Sequence, residues 1–187
     1  ATFREPLGKS KYDFYSSLPD HTGNVGQFSM ANEPSFHIPY LYNYAGQPWK
    51  TQKRIRQLLR YWYRNDLMGV PGDEDGGGMT AFVVFSSMGF YPVTPGSMSY
   101  NIGSPLFNDV KVRLGNGKIF EIVAKNCSEE NKYIQSALLN GKEWNKPWFN
   151  RSDIANGGSL ILIMGNKANK NWGSNLEDAP PSATPIP

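Results

Sequence analysis

Apolar and polar positions follow three textures along the chain, and each predicts a different kind of element. From Trp49 to Arg64, Ile55, Leu58, Leu59 and Trp62 recur at the i, i+3, i+4, i+7 spacing of a helix with one buried stripe. Lys53, Arg56, Arg60 and Arg64 fall on another face, which reads as a solvated helix surface rather than a nucleic-acid groove binder. Met79 to Met88 is almost wholly apolar, so periodicity alone does not separate a buried helix from a strand. The preceding helical segments and Gly89, placed as a C-terminal cap, decide for helix. Past Tyr91 the period becomes two. Val110–Leu114 alternates, Asn116-Gly117 signals a hairpin, and Ile119–Ala124 returns. Tyr133–Leu139 leads to a second Asn-Gly pair at Asn140-Gly141, and Ser159–Met164 is a final buried strand.

The segments between are read from their Pro and Gly. Pro34 suits a first helical turn for the aromatic stretch Ser35–Tyr44, and Pro39 starts a second turn or kinks the first. Residues 1–33 carry few periodic signals, with only Tyr12–Leu18 fit for a short helix. Pro92, Pro95, Gly96, Gly103 and Pro105 make a linker-like stretch. From Trp172 onward the Pro-rich composition is that of a disordered tail. The resulting class is α+β. Residues 1–94 form a helical part, 95–175 an antiparallel, sandwich-like β region, and 176–187 a tail.

Composition narrows the functional classes. The 39% hydrophobic and 13% aromatic content supports a sizeable core in 187 residues. No apolar run approaches the ~20 residues that a membrane span requires. A net charge of +3 is too small to imply a nucleic-acid or membrane-surface partner. One cysteine, Cys127, excludes an internal disulfide framework. The start Ala1-Thr-Phe-Arg-Glu is no signal peptide, and the chain reads as beginning inside a longer protein.

Candidate chemistry centres on Gly72-Asp-Glu-Asp-Gly-Gly-Gly78, a loop by its glycines and by Pro71. In an extended segment Asp73 and Asp75 leave one side and Glu74 the other. Carboxylates that close raise one another's pKa unless a cation or hydrogen-bond donors intervene. Two uses follow: a general base with an assisting carboxylate, or oxygen ligands for a hard cation such as calcium. A solvated acidic turn is the plain alternative. His21 and His37, 16 residues apart, make no zinc motif, and Gly76–Thr80 lacks the lysine of a phosphate loop. The aromatics Tyr40, Tyr42, Tyr44, Trp49, Trp62 and Tyr63 offer sugar-stacking faces, although such spacing is ordinarily core.

Several motifs in order resemble glycoside hydrolase family 92, the calcium-dependent exo-acting α-mannosidases. They are Asn32-Glu-Pro34, Pro39–Gln52, Gly72-Asp-Glu-Asp75, Ser87–Gly96, Ile102–Phe107, Asn131–Ser136 and Asn171-Trp-Gly173, so the resemblance spans roughly residues 18 to 173. It implies the last helices of an (α/α)6 barrel followed by the β region, as the C-terminal part of an inverting hydrolase of terminal α-mannosides in glycans. An α-1,2 linkage is the expected one. It further implies Asp75 as base with Asp73 assisting, or the reverse, and calcium held by Asn32, Glu33 and Asp75. The family's general acid lies upstream of Asn-Glu-Pro, and nothing from Ala1 to Met30 matches its motif. An N-terminal remainder of the same enzyme is therefore an expected partner. A secreted, periplasmic or cell-surface bacterial protein is the expected setting. Two departures stand out. Met30-Ala31 replaces a His-Gly-like pair, and Gly76 and Gly78 stand where many members have Cys and Gln. The alternative from another class is a non-catalytic carbohydrate-binding or structural module, which has no need of adjacent carboxylates.

Overall fold

The computed structural model describes residues 28, 30–31, 33–67, 69–72 and 74–182. The short helix expected over Tyr12–Leu18 therefore lies outside the described residues, as do His21, Asn32 and Asp73. The aromatic segment folds as consecutive short turns, Glu33–Ser35 and Ile38–Tyr40, followed by α1, Leu41–Tyr44. Pro39 stands in the first turn of the second of these, where its missing N–H costs nothing.

The long amphipathic helix is α2, Pro48–Trp62. Its stripe Ile55, Leu58 and Leu59 is buried, in a core with Met30, Phe36, Tyr40, Met79 and Phe82. The cationic face is not uniformly solvated. Arg56 donates to the carbonyls of Pro105 and Ser128, and Arg60 pairs with Glu129, so this face also docks a loop of the β region. On the buried side, the Gln52 Oε1 accepts the Ile134 N–H at 3.0 Å and fixes α2 to a strand.

Helix α3, Gly78–Met88, confirms the choice of helix for the apolar run. Gly89, at φ 104°, closes it, its N–H reaching the carbonyls of Phe85 and Ser86. A helix apolar nearly all round needs cover on more than one side. Met79 and Phe82 face the helical core, whereas Phe85 and Met88 pack against a second core in the β region. The edge bearing Thr80, Ala81 and Val84 is exposed.

Among the described residues, eight strands make two sheets. Antiparallel β1 (Phe90–Tyr91), β2 (Ser99–Ile102) and β7 (Trp148–Asn150) form a three-stranded sheet in the order β1-β2-β7. The second, of order β3-β4-β8-β5-β6, comprises β3 (Asp109–Arg113), β4 (Ile119–Lys125), β5 (Tyr133–Leu139), β6 (Lys142–Glu143) and β8 (Gly158–Gly165). Between β7 and β8 sits one helical turn, α4 (Arg151–Ile154). Phe90, Ile102 and Phe149 of the small sheet meet Phe120, Ile134, Leu160 and Leu162 of the large one in a common core.

Three expectations need correction. The β region is not purely antiparallel, because β4 and β8 run parallel, from Phe120 opposite Gly158 to Lys125 opposite Ile163. The long connection between them makes that crossover possible. The continuous apolar run of β8 suits a strand with neighbours on both sides. The linker-like stretch contains β2, whose Ser99, Asn101 and Ile102 are buried, and a division at residue 94 falls within the β1–β2 pairing. The stretch from Trp172 to Ser182 is not loose. Trp172 is 3% exposed in the β core and donates its indole N–H to the Trp144 carbonyl at 2.9 Å. The Trp148 indole in turn donates to the Asp178 carbonyl at 3.0 Å. Proline-rich composition hid one large anchor. Among the described residues, no helix is long and apolar enough to cross a membrane.

Both Asn-Gly signals make hairpins, by different turns. At Asn140-Gly141 both residues have positive φ, 52° and 78°, as a two-residue turn demands. At Asn116-Gly117 only Gly117 does, in a longer loop closed by Leu114 N–H to the Lys118 carbonyl.

If the C-terminal strap is part of the fold, Trp172→Ala should lower stability by about 3–5 kcal/mol, the range for truncating a buried aromatic. Urea denaturation of the protein would measure it, and a loss within about 0.5 kcal/mol, typical of an exposed site, would return this segment to the status of a tail.

Candidate active site

Two sequence-distant segments meet at the start of α3. Ala31 lies against Gly72 and Glu33 against Gly78, and the two glycines permit it. A Cβ on Gly72 would lie 2.3 Å from the Ala31 carbonyl oxygen. A Cβ on Gly78 would lie 3.1 Å from the Glu33 Cγ and 3.4 Å from its Oε1. These positions keep side-chain volume out of the seam, and Glu33 occupies the space at Gly78.

The acidic loop is not extended. Asp75, Gly76 and Gly77 have φ of 56°, 64° and 105°, three left-handed residues in succession. Nothing lies near the Cβ positions of Gly76 and Gly77, so backbone conformation rather than crowding explains glycine there. The alternating-side expectation for the aspartates therefore does not describe Asp75. A left-handed turn aims it, and Asp73 lies outside the described residues.

The turn separates the carboxylates. Asp75 is exposed, and its carboxyl hydrogen-bonds that of Glu33, which together with some desolvation and the charges of Glu33 and Glu74 raises the Asp75 pKa above the usual aspartate range. Because the pKa is raised, the contact supports the loop below the ordinary aspartate pKa and weakens as pH climbs through the raised value. Glu74 points elsewhere. It accepts from the Thr80 hydroxyl, the Thr80 N–H and the Gly77 N–H, and those bonds hold its pKa below the usual glutamate range.

An aromatic wall backs the pair. Tyr91 stacks on Tyr40 with ring centroids 5.4 Å apart and meets the Phe82 edge at 5.3 Å. Burial and the nearby Glu33 charge push the Tyr91 phenol up. Tyr40 is fully buried, with its hydroxyl 3.0 Å from Ser86 Oγ, and Tyr63 lies over Phe82 at 6.1 Å. Of the aromatics offered as stacking faces, Tyr40 is core and Tyr63 is packed against it. His37 is exposed.

The structure thus brings Asp75 and Glu33 together. It leaves Asn32 and Asp73 outside the described residues, and among those described no three His, Cys, Asp or Glu side chains cluster as a metal site. The donor chemistry of the pair nevertheless fits a hard cation, since two side-by-side carboxyls supply oxygen and carry a like-charge strain that a cation relieves. Sequence reasoning did not find the parts played by Thr80 and Tyr91. A hydroxyl six residues past Glu74 was the available sign of the first.

Comparison with known proteins places the chain in a glycoside hydrolase family. Residues 1–166 match the glycosyl hydrolase family 92 catalytic domain, and the chain belongs to that family. It is 38% identical over 165 residues to a secreted glycosidase of Arthroderma benhamiae, covering 87% of this chain and 21% of the relative. The α-mannosidase BT3965 of Bacteroides thetaiotaomicron, solved with mannoimidazole, superposes with a TM-score of 0.83 at 37% identity, over 92% of this chain and 24% of that one. The inverting mannosidase BT2199 of the same organism gives 0.75 at 43% identity, over 80% and 20%. The chain therefore spans less than a quarter of the length of these relatives.

The Asp75–Glu33 contact makes a titration prediction. In metal-free protein, Glu33→Gln removes both the neighbouring charge and the carboxylate acceptor, so the Asp75 pKa should fall toward its ordinary value. Carbon-13 NMR of the side-chain carboxyl reads this directly, and an unmoved titration curve would contradict the contact.

Proposed function

We propose that this chain is the base-bearing, C-terminal part of a calcium-dependent, inverting exo-α-mannosidase that removes terminal mannose, expected in α-1,2 linkage, from glycans. The observation that supports it most is the meeting of Asp75 and Glu33, from motifs some forty residues apart in sequence, at the N-terminal end of α3. Mannosidases among the similar solved structures favour the substrate class, and the secreted relative favours an extracellular or periplasmic setting, here taken as bacterial.

An inverting hydrolase needs one carboxylate to take a proton from water and one acid to give a proton to the leaving oxygen, set ~6.5–9.5 Å apart. Asp75 is the base, with Asp73 assisting. It is exposed on the turn that opens α3, so water can reach its carboxylate, as a general base requires. Water held at Asp75 loses its proton as its oxygen attacks the anomeric carbon, on the face opposite the departing oxygen. The acid comes from the part of the enzyme outside these residues, together with the remaining helices of the barrel. Tyr91, with its phenol neutral, lines the Glu33 side without adding charge. Asn32, Glu33 and Asp75 would hold calcium, which when bound offsets the carboxylate charges and engages hydroxyls of the terminal mannose.

Asp75→Asn in the complete enzyme should reduce kcat by ~10²–10⁴, the usual contribution of a general base. Steady-state hydrolysis of an aryl α-mannoside measures it, and a near-normal kcat would remove Asp75 from the role. Chelation should abolish turnover of the complete enzyme, and added calcium rather than zinc should restore it, because the site offers only oxygen ligands. Undiminished turnover after exhaustive chelation would refute the metal.

A further inference from the structure

We propose that Glu74 is the positioning residue of the acidic loop, a clamp that fixes Asp75 through the first turn of α3, with Thr80 as its partner. The kinetic part rests on the hydrolase reading above; the clamp itself does not.

Among the described residues, the acceptor contacts of the Glu74 carboxylate are directed at the start of α3. Its Oε2 takes the Gly77 N–H, and its Oε1 takes both the Thr80 N–H, at 3.1 Å, and the Thr80 hydroxyl. The main chain repeats the tie, since the Met79 N–H reaches the Glu74 carbonyl at 3.2 Å. Helix N-termini leave backbone donors without intrahelical partners, and a carboxylate there satisfies them with charge-assisted bonds. Gly77, the cap residue of α3, has no side chain to do so, and no side-chain cap bond is made from that position. Glu74 supplies the missing cap from three residues upstream.

The consequence falls on Asp75, which lies inside the closed loop. It is a non-glycine residue at φ 56°, followed by two glycines that contribute no packing. Neither side-chain bulk nor a strand ladder holds it there. Besides the Glu33 contact, the bonds on both sides of it do: Glu74 accepts from the Gly77 and Thr80 N–H groups, and the Gly78 N–H donates to the Asp75 carbonyl at 3.3 Å. The neighbouring acids Glu74 and Asp75 thus have different tasks. With its oxygens engaged by α3, Glu74 serves neither as base nor as metal ligand. Thr80, exposed on the surface of α3, is accounted for by the same contact.

The test compares Glu74→Ala, Thr80→Val and Thr80→Ser with wild type in the complete enzyme. Two readouts are taken from the same preparations: steady-state hydrolysis of an aryl α-mannoside, and hydrogen exchange of the peptide covering residues 76–81. Misplacing a catalytic group by about 1 Å costs up to ~10²-fold. Glu74→Ala should therefore lower kcat by roughly ten- to a hundredfold, with KM changed less than threefold, and the 76–81 amides should exchange at least tenfold faster. Thr80→Val should show the same pattern more weakly, and Thr80→Ser, which keeps the hydroxyl, should restore both readouts. Unchanged exchange in Glu74→Ala overturns the clamp, whatever the activity. A kcat within twofold of wild type despite faster exchange overturns the positioning role, as does Thr80→Ser being as impaired as Thr80→Val. Faster exchange in an enzyme whose wild type cleaves no α-mannoside overturns the hydrolase reading and leaves the clamp standing.

Discussion

The structure depends on burying one short helix from two sides. α3 has no polar face wide enough for solvent, so one side must complete the helical core and another the β core. That single requirement joins the two parts of the chain. Gln52 and Asn43 reinforce the junction: the Asn43 amide reaches the carbonyls of Ile102 and Pro147 at 3.0 and 3.2 Å. Hydrogen bonds of this kind add modest net stability but strongly disfavour misaligned packing, because a buried amide left without acceptors is costly. The acidic loop inherits a rigid base from this arrangement, being attached to the one element that neither core can release.

Charge is then sorted by backbone geometry. Adjacent carboxylates on an extended chain would repel one another and titrate together. Turning the chain left-handed at Asp75 sends Glu74 to the helix donors and Asp75 to Glu33, so neighbouring acids acquire pKa shifts of opposite direction. Family 92 membership gives this pair its chemical context, and the seam at Gly72 and Gly78 shows how the two motifs come to lie side by side.

Much of the fold was legible in the sequence, for reasons that can be stated. The stripe of α2 and the alternation of β3 and β4 obey simple periods, and Gly89 and the two Asn-Gly pairs mark ends and turns that few other residues make. What escaped was set by long-range partners. The parallel neighbour of β8 is invisible to local pattern, and β2 was hidden among the prolines and glycines of its flanks. Trp172 sat in a composition that suggests disorder, yet it is buried in the β core, its indole N–H donating to the carbonyl of Trp144 well back in the chain. In the site, the acidic motif and Asn-Glu-Pro were evident as motifs, whereas the separate orientation of Glu74 was not. Alternation along an extended strand was the wrong template for a loop with three left-handed residues.

The strand order carries one further implication, for how the protein is made. β8 lies between β4 and β5, so the hairpins β3–β4 and β5–β6 share no edge until β8 is inserted between them. During synthesis each hairpin must wait, with an open edge and one apolar face, until roughly residue 165 has left the ribosome. Isolated hairpins are marginal in water, and open edges invite pairing with other chains. The helical part precedes both and can collapse early on local contacts, whereas the large sheet closes late and all at once. Nascent chains stalled before β8 are thus the species most exposed to aggregation, and chaperone demand should concentrate there.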